Sequence, residues 1–366
     1  MRLFVSFFLL SIILPNPAAA QPLPPEKGFE VWVTNQQRDS IQILNGLTLE
    51  VMNEILLDAD GKPATTKPHS MAISPDGNYA LTANIGVKSG TKNISVIRTK
   101  DRKVIQTLPA GPAAHMVVFA PDGKRAFAAN AGGSSVTEIR IDPEKGKFSP
   151  GRTLKVPLEG GKAHPTCLSV SADSQTLFVT NAGPKAADPN KSGFVSIMDI
   201  DTGKEVKRIT GLGNEVCAQG MGAGGKALYL TIGGGVGNFG VMDPLKHQLT
   251  HQKTAEGGDP HGLAAAPNGT IWVTNRLSNS VSEYSGGDYK AIRTIKNIGD
   301  KPDLIVLSPG GSRAFITLRG TPATPIPGKK GGSQPGISVI DLKAGKIMKR
   351  ITLGGDPHGI AIRELF

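Results

Sequence analysis

The sequence predicts an all-β fold: a seven-bladed β-propeller closed by pairing the C-terminal strand with the N-terminal blade. Three observations carry that prediction. A hairpin unit built on a Ser-Pro-Asp-Gly-like turn recurs six times along the chain, and the two chain ends read as the complementary parts of a seventh. The composition, with 46 Gly and 27 Pro in 366 residues, suits many short strands joined by tight turns better than helices.

In chain order, the first element is not part of the fold. Met1-Arg2 supplies one positive charge, and Leu3 to Leu14 is an apolar run too short to cross a bilayer as a mature helix. Pro15 and Pro17 then break it, and Ala18-Ala19-Ala20 supplies small residues ahead of Gln21. This is the anatomy of a secretory signal peptide, residues 1–20, with cleavage expected after Ala20; an uncleaved anchor would want a charged stop-transfer flank. Residues 21–366 are expected to form one propeller domain, periplasmic or secreted, with no transmembrane segment in the mature chain. No Cys stands in a lipobox position, which argues against a lipoprotein.

The repeat comes next. Its clearest copies are Met71 to Asn84, around Ser74-Pro75-Asp76-Gly77, and Val118 to Asn130, around Ala120-Pro121-Asp122-Gly123. Further copies contain Ser171-Ala172-Asp173-Ser174, Ala266-Pro267-Asn268-Gly269 and Ser308-Pro309-Gly310-Gly311, and Gly222-Ala223-Gly224-Gly225 is a degenerate one. Turn chemistry between two alternating apolar runs makes each a β-hairpin. Third strands follow at Ile94–Ile97, Val195–Asp199, Val281–Tyr284 and Ile337–Asp341, and fourth strands at Lys103–Leu108, Glu205–Ile209 and Lys346–Ile351. Gly359–Ile362 is a first strand with nothing after it, and Val31–Asn35 a second strand with nothing before it. Joining them gives the seventh blade and removes the unpaired edges.

The strings Val33-Thr34-Asn35, Phe178-Val179-Thr180-Asn181 and Trp272-Val273-Thr274-Asn275, with their companion Ser-Pro-Asp-Gly turns, resemble the core of the YVTN β-propeller repeat. The resemblance covers essentially all of the chain after residue 20. It implies seven blades around an axial funnel and leaves the activity open, because the family is functionally mixed. The Asn row (Asn35, Asn84, Asn130, Asn181, Asn275) reads as loop-shaping, since Asn tolerates left-handed backbone.

Two features mark one face. Insertions fall on a single rim, at 85–93, 182–193, 233–238 and 319–336, whereas the opposite turns hardly vary in length. On the same rim, six residues before each turn's Pro position, stand His69, His115, Thr166, Cys217, His261 and Asp303; His358 takes the corresponding place in the C-terminal strand, and His164 lies two residues before Thr166. First strands line a propeller's channel, so these side chains are expected to converge on the axis. They could contact a ligand, act as acid–base groups or hold a transition metal. Alternatively, Pro-His merely shapes the inter-blade turn, with hydrated imidazoles lining a channel too wide for all slots to share one ion.

Cys167 and Cys217, the only two cysteines, lie on neighbouring first strands, where a disulfide is one reading and a one-residue offset speaks against it. No Gly-x-Ser-x-Gly elbow, P-loop or Cys-x-x-Cys-His attachment occurs, and Gly233-Gly234-Gly235-Val236-Gly237 leads into no helix. The formal charge of +11 is spread along the chain, with Lys329-Lys330 the tightest cluster, as on a solvated surface rather than a patch. The expectation is therefore an exported recognition propeller, monomeric, binding a small molecule, peptide or partner protein at the funnel through His69, His115, His164, Cys217, His261, Asp303 and His358. No cofactor is required. Two alternatives stand beside it: a hydrolytic or lyase-type (lactonase-like) enzyme, metal-assisted or not, and a binder of anionic polymers such as nucleic acid.

Overall fold

The computed structural model describes residues 27–57, 65–87, 90–158, 161–183, 193–213, 215–233, 237–319 and 334–365; the expected signal peptide and the centres of the four rim insertions lie outside them. Blade 1 joins β1 (Phe29–Asn35), β2 (Ser40–Asn45) and β3 (Val51–Leu56) to the last strand of the chain. Blade 2 comprises β4 (Pro68–Ile73), β5 (Tyr79–Asn84), β6 (Gly90–Arg98) and β7 (Lys103–Ala110), and blade 3 β8 (Ala114–Phe119), β9 (Arg125–Asn130), β10 (Ser135–Asp142) and β11 (Lys147–Lys155). Blade 4 follows with β12 (Pro165–Val170), β13 (Thr176–Asn181), β14 (Phe194–Asp199) and β15 (Lys204–Ile209), then blade 5 with β16 (Glu215–Met221), β17 (Leu228–Gly233), β18 (Asn238–Asp243) and β19 (Gln248–Thr254). Blade 6 holds β20 (Pro260–Ala265), β21 (Ile271–Asn275), β22 (Ser280–Tyr284) and β23 (Ala291–Lys296), and blade 7 β24 (Pro302–Leu307), β25 (Arg313–Leu318), β26 (Gly336–Asp341) and β27 (Lys346–Thr352).

The closing strand β28 (Pro357–Glu364) pairs antiparallel with β1, from Phe29 opposite Glu364 to Asn35 opposite Pro357. The expected closure is thus present, and the first and last strands of the propeller are neighbours in one sheet. Seven hydrophobic clusters occupy the seven gaps between adjacent blades. Trp32, Ile41, Met71 and Ala80 fill the gap from blade 1 to blade 2, and Phe29, Val33, Phe315 and Val339 the gap from blade 7 back to blade 1. Apolar area is therefore buried between blades rather than in a central core, which is how a ring of thin sheets removes its faces from water.

The repeated turns explain their own sequence. The last turn position is left-handed in every copy: Gly77 at φ 72°, Gly123 at 69°, Gly225 at 68°, Gly269 at 85°, Gly311 at 68°, and the single non-glycine, Ser174, at 61°. Glycine takes that backbone without steric cost. In blade 2 the Ser74 hydroxyl donates to Asp76 Oδ1 at 2.5 Å and accepts Tyr79 N–H at 2.9 Å, so Ser and Asp satisfy the turn's own donors.

The Asn row corrects the reading given to it above. None of Asn35, Asn84, Asn130, Asn181 and Asn275 is left-handed, and all five are fully buried at strand ends. Asn84 Nδ2 donates to Ser95 Oγ at 3.0 Å, and Asn275 Nδ2 to Ser280 Oγ at 3.1 Å and Ser282 Oγ at 3.0 Å. These amides clamp the second strand of a blade to the third.

Candidate functional site

The innermost strands β28, β4, β8, β12, β16, β20 and β24 bring the seven slot residues His358, His69, His115, Thr166, Cys217, His261 and Asp303 into one ring. Five are buried, and His115 and Thr166 are partly so. His164 stands apart: it is exposed, and its Nδ1 lies 3.1 Å from Ala131 O on the rim. The expectation of a wide, water-filled channel fails at this level. The His69 ring packs with its centroid 3.9 Å from that of His115, tilted by 42°, and 3.7 Å from that of His358, tilted by 41°.

Local backbone sets this convergence. Two residues before five of the slots the chain is left-handed at a non-glycine residue: Lys67, Ala113, Asp259, Lys301 and Asp356, with φ between 44° and 55°. The turn throws each first strand inward. After two of the histidines, glycine permits the next blade's approach: a Cβ on Gly262 would lie 2.2 Å from Asp303 O, and one on Gly359 2.8 Å from Ser70 Cα.

Each slot carbonyl is buried among other polar groups and needs a donor. The preceding blade supplies every one. His358 Nδ1 meets His69 O at 2.7 Å, His69 Nδ1 meets His115 O at 3.1 Å, and His115 Nδ1 meets Thr166 O at 2.9 Å. From there the donor changes to the threonine of the Val-Thr-Asn-like strings. Thr180 Oγ1 donates to Cys217 O at 2.9 Å, Thr231 to His261 O at 2.7 Å, Thr274 to Asp303 O at 2.5 Å, and Thr317 to His358 O at 3.1 Å. Blades 2 and 3 have Ala83 and Ala129 where the others have that threonine, as the strand registers show, and there the histidines do its work. The imidazoles of His69, His115 and His358 are thus inter-blade latches, protonated at Nδ1 because only a donor fits a carbonyl.

His261 has no such task, because Thr274 already serves the next carbonyl. Its Nδ1 is buried without a hydrogen-bond partner, and its Nε2 faces Asp303 Oδ1 at 2.9 Å and Cys217 Sγ at 3.5 Å. His261 and Asp303 thus form a close buried ion pair that falls short of an aligned hydrogen bond, so Asp303 Oδ1 has a charged neighbour but no aligned donor. The other Asp303 oxygen, Oδ2, accepts Arg319 Nη1 at 2.9 Å and lies 3.4 Å from His358 Nε2. Arg319 is held in turn by Asp356 through Nε at 2.5 Å and Nη2 at 2.8 Å. One blade away, Arg276 grips Asp259 at 2.8 and 3.0 Å and reaches Glu215 at 3.4 Å. Such bidentate pairs fix orientation as well as adding energy.

Electrostatics separate the two halves of the ring. Burial above all, with neighbouring positive charge, holds His69 and His358 well below the ordinary histidine value and lowers His115 to about 4. His261 goes the other way: burial and Arg276 oppose its charge, but the ionised carboxylate of Asp303 beside it raises it above the ordinary histidine value. Asp303, although burial opposes its charge, is held well below the usual carboxylate range by His261, His358 and Arg319. The Cys217 thiol is pushed well above its usual range by its hydrogen bond with Cys167 and by burial; both cysteines are free. Cys217 and Asp303 converge on the same imidazole nitrogen, so these residues do not form a nucleophile–base–carboxylate relay, in which the two would sit on opposite nitrogens.

Sequence reasoning located the slots but missed Arg276, Arg319, Asp259, Asp356 and the threonine latches. A signal was present: the hexapeptide Gly-Gly-Asp-Pro-His-Gly occurs twice, at 257–262 and 354–359, and each Asp pairs with an Arg just past the end of a neighbouring second strand.

Comparison with known proteins gives the fold a context. No protein-family profile matches the chain. A chain of hydrazine synthase from Kuenenia stuttgartiensis superposes with a TM-score of 0.65 at 15% identity, over 94% of this chain and 99% of that one. A protein of Lactobacillus plantarum does so with a TM-score of 0.69 at 15% identity, over 92% and 100%. The likeness is one of fold. In sequence, antigen Lp49 of Leptospira interrogans is 25% identical over 178 residues, which are 46% of this chain and 38% of that protein; the chain thus spans well under half of that relative's length. Among the described residues no helix is long and apolar enough to cross a membrane.

Proposed function

We propose that this chain is an exported propeller of the YVTN kind that recognises a small molecule, a peptide or a partner protein at its top face, over the sector of Cys217, His261, Asp303 and His358. One observation carries the reading: in a ring whose other histidines are latches, His261 Nδ1 and Asp303 Oδ1 are buried with no hydrogen-bond partner, braced from outside by Arg276 and Arg319. Unsatisfied buried polar groups cost free energy, and a bound ligand that supplies the missing partners accounts for their retention here. Blades 5 and 7, which flank this sector on either side of blade 6, also carry two of the rim insertions. The signal-peptide-like residues 1–20 support a periplasmic or secreted location, and a monomer is proposed with it.

The test is a thermal-shift screen of small metabolites and peptides against mature, metal-free protein, repeated with His261→Gln. A ligand that raises the melting temperature of the wild type and loses most of that effect in the variant bears the reading out. Ligands that shift both proteins equally, or binding that falls steeply with salt as for a polyanion, would overturn it.

A further inference from the structure

We propose that His261, Asp303 and His358 form a binding site for one divalent transition-metal ion. One donor atom from each lies within 4.8 Å of the other two, and all three side chains are buried. His261 Nε2 stands 2.9 Å from Asp303 Oδ1, close to the spacing of two donors on one ion, and His358 Nε2 lies 3.4 Å from Oδ2 of the same carboxylate. Donors bonded to one ion at about 2.0–2.2 Å stand roughly 3.0–3.5 Å apart.

The surroundings argue for a ligand set rather than a chance cluster. His358 gives its Nδ1 proton to His69 O, which turns its unprotonated Nε2 toward Asp303, the second-shell arrangement that orients metal-binding imidazoles. Arg319, itself fixed by Asp356, holds one oxygen of Asp303 and leaves the other, Oδ1, without a hydrogen bond. At 2.9 Å the imidazole nitrogen and the carboxylate oxygen are too close for an ion in line between them, so an ion bonded to both sits to one side, toward His358.

Two imidazoles and one carboxylate are a borderline donor set, suited to Zn²⁺, Co²⁺ or Fe²⁺ and not to the all-oxygen cages of Ca²⁺ or Mg²⁺. Three protein ligands also leave a coordination position for an outside oxygen or nitrogen donor. The inference goes beyond the recognition reading and does not depend on it, since that reading is tested on metal-free protein.

The experiment uses the mature chain, exported and purified without a histidine tag, stripped with a chelator and titrated with Co²⁺ and Zn²⁺. The expected result is one ion per chain, with a visible Co²⁺ spectrum that Zn²⁺ displaces. His261→Gln and His358→Ala are each expected to weaken binding by more than the roughly 10-fold that loss of an outer-shell partner alone can cost, whereas His251→Ala, an exposed histidine on the outer strand β19, leaves it unchanged. Because His358 is also a latch and Asp303 also holds Arg319, His261→Gln is the decisive variant, checked by circular dichroism for an intact fold. Failure of the wild type to take up either ion, or wild-type affinity in His261→Gln, would overturn the proposal.

Discussion

At the scale of the residue, the same side chain does two different jobs in one ring. His69 and His115 stand in for a missing threonine as donors to a neighbour's carbonyl, His358 does the same although its own blade keeps Thr34, and burial keeps all three neutral. For His115 the consequence is a pH dependence with a definite sign. Its folded value is lowered from 6.5 to about 4. Below pH 6.5 the unfolded chain therefore takes up a proton that the native chain refuses, and stability falls as pH drops toward 4. One such group contributes about 1.4 kcal/mol per pH unit in that window. Asparagine can offer an N–H near the position of Nδ1 without titrating, so His115→Asn is expected to flatten the slope of urea-measured stability between pH 6.5 and 4 by that amount. Equal slopes would mean that His115 titrates normally in the folded state. The division of labour among the histidines was not legible in the sequence, because for His69 and His115 it turns on an alanine in place of threonine on the blade's second strand, and for His358 on the orientation of a ring beside Thr34. Ala83 and Ala129 were visible, but their meaning requires the register across the blade gap.

At the scale of the element, most of the fold was legible. Turn chemistry, alternation and spacing placed the hairpins, and the open chain ends gave the closure between β1 and β28, because these are local signals. What local signals could not give was the interior of the ring. The Asn row looked like turn residues, but Asn35, Asn84, Asn130 and Asn275 proved to be strand clamps and Asn181 bonds Val179 O of its own strand, since a buried amide and an Asn in a loop have the same sequence signature. Close approach at the axis was likewise invisible. The innermost strands β20 and β24 come together only because Gly262 lacks a Cβ, which would otherwise meet Asp303 O at 2.2 Å and Leu304 Cα at 2.8 Å. Both are backbone atoms that cannot rotate aside. Gly262→Ala is therefore expected to cost about 1–3 kcal/mol in chemical denaturation. Gly287→Ala, where the nearest atom is 3.8 Å away, should stay within about 0.5 kcal/mol. Similar losses at the two positions would deny the tight packing of β20 on β24.

At the scale of the molecule, the propeller is a closed circuit of seven donors and seven carbonyls, three links made by imidazole and four by hydroxyl. Regular latching around most of the ring leaves one sector, His261 with Asp303 between Arg276 and Arg319, where polar atoms are not consumed by the scaffold. A rigid ring that spends its other polar groups on closure can hold such a sector in place without moving. The claim that His261 stands apart from the three latching histidines is tested most directly by nitrogen-15 NMR of the imidazole rings in the metal-free protein at pH 7. The account predicts that His69, His115 and His358 are neutral and protonated at Nδ1, and that His261 carries a positive charge. Neutral rings protonated at Nε2 for the first three, or a His261 that matches them, would contradict it.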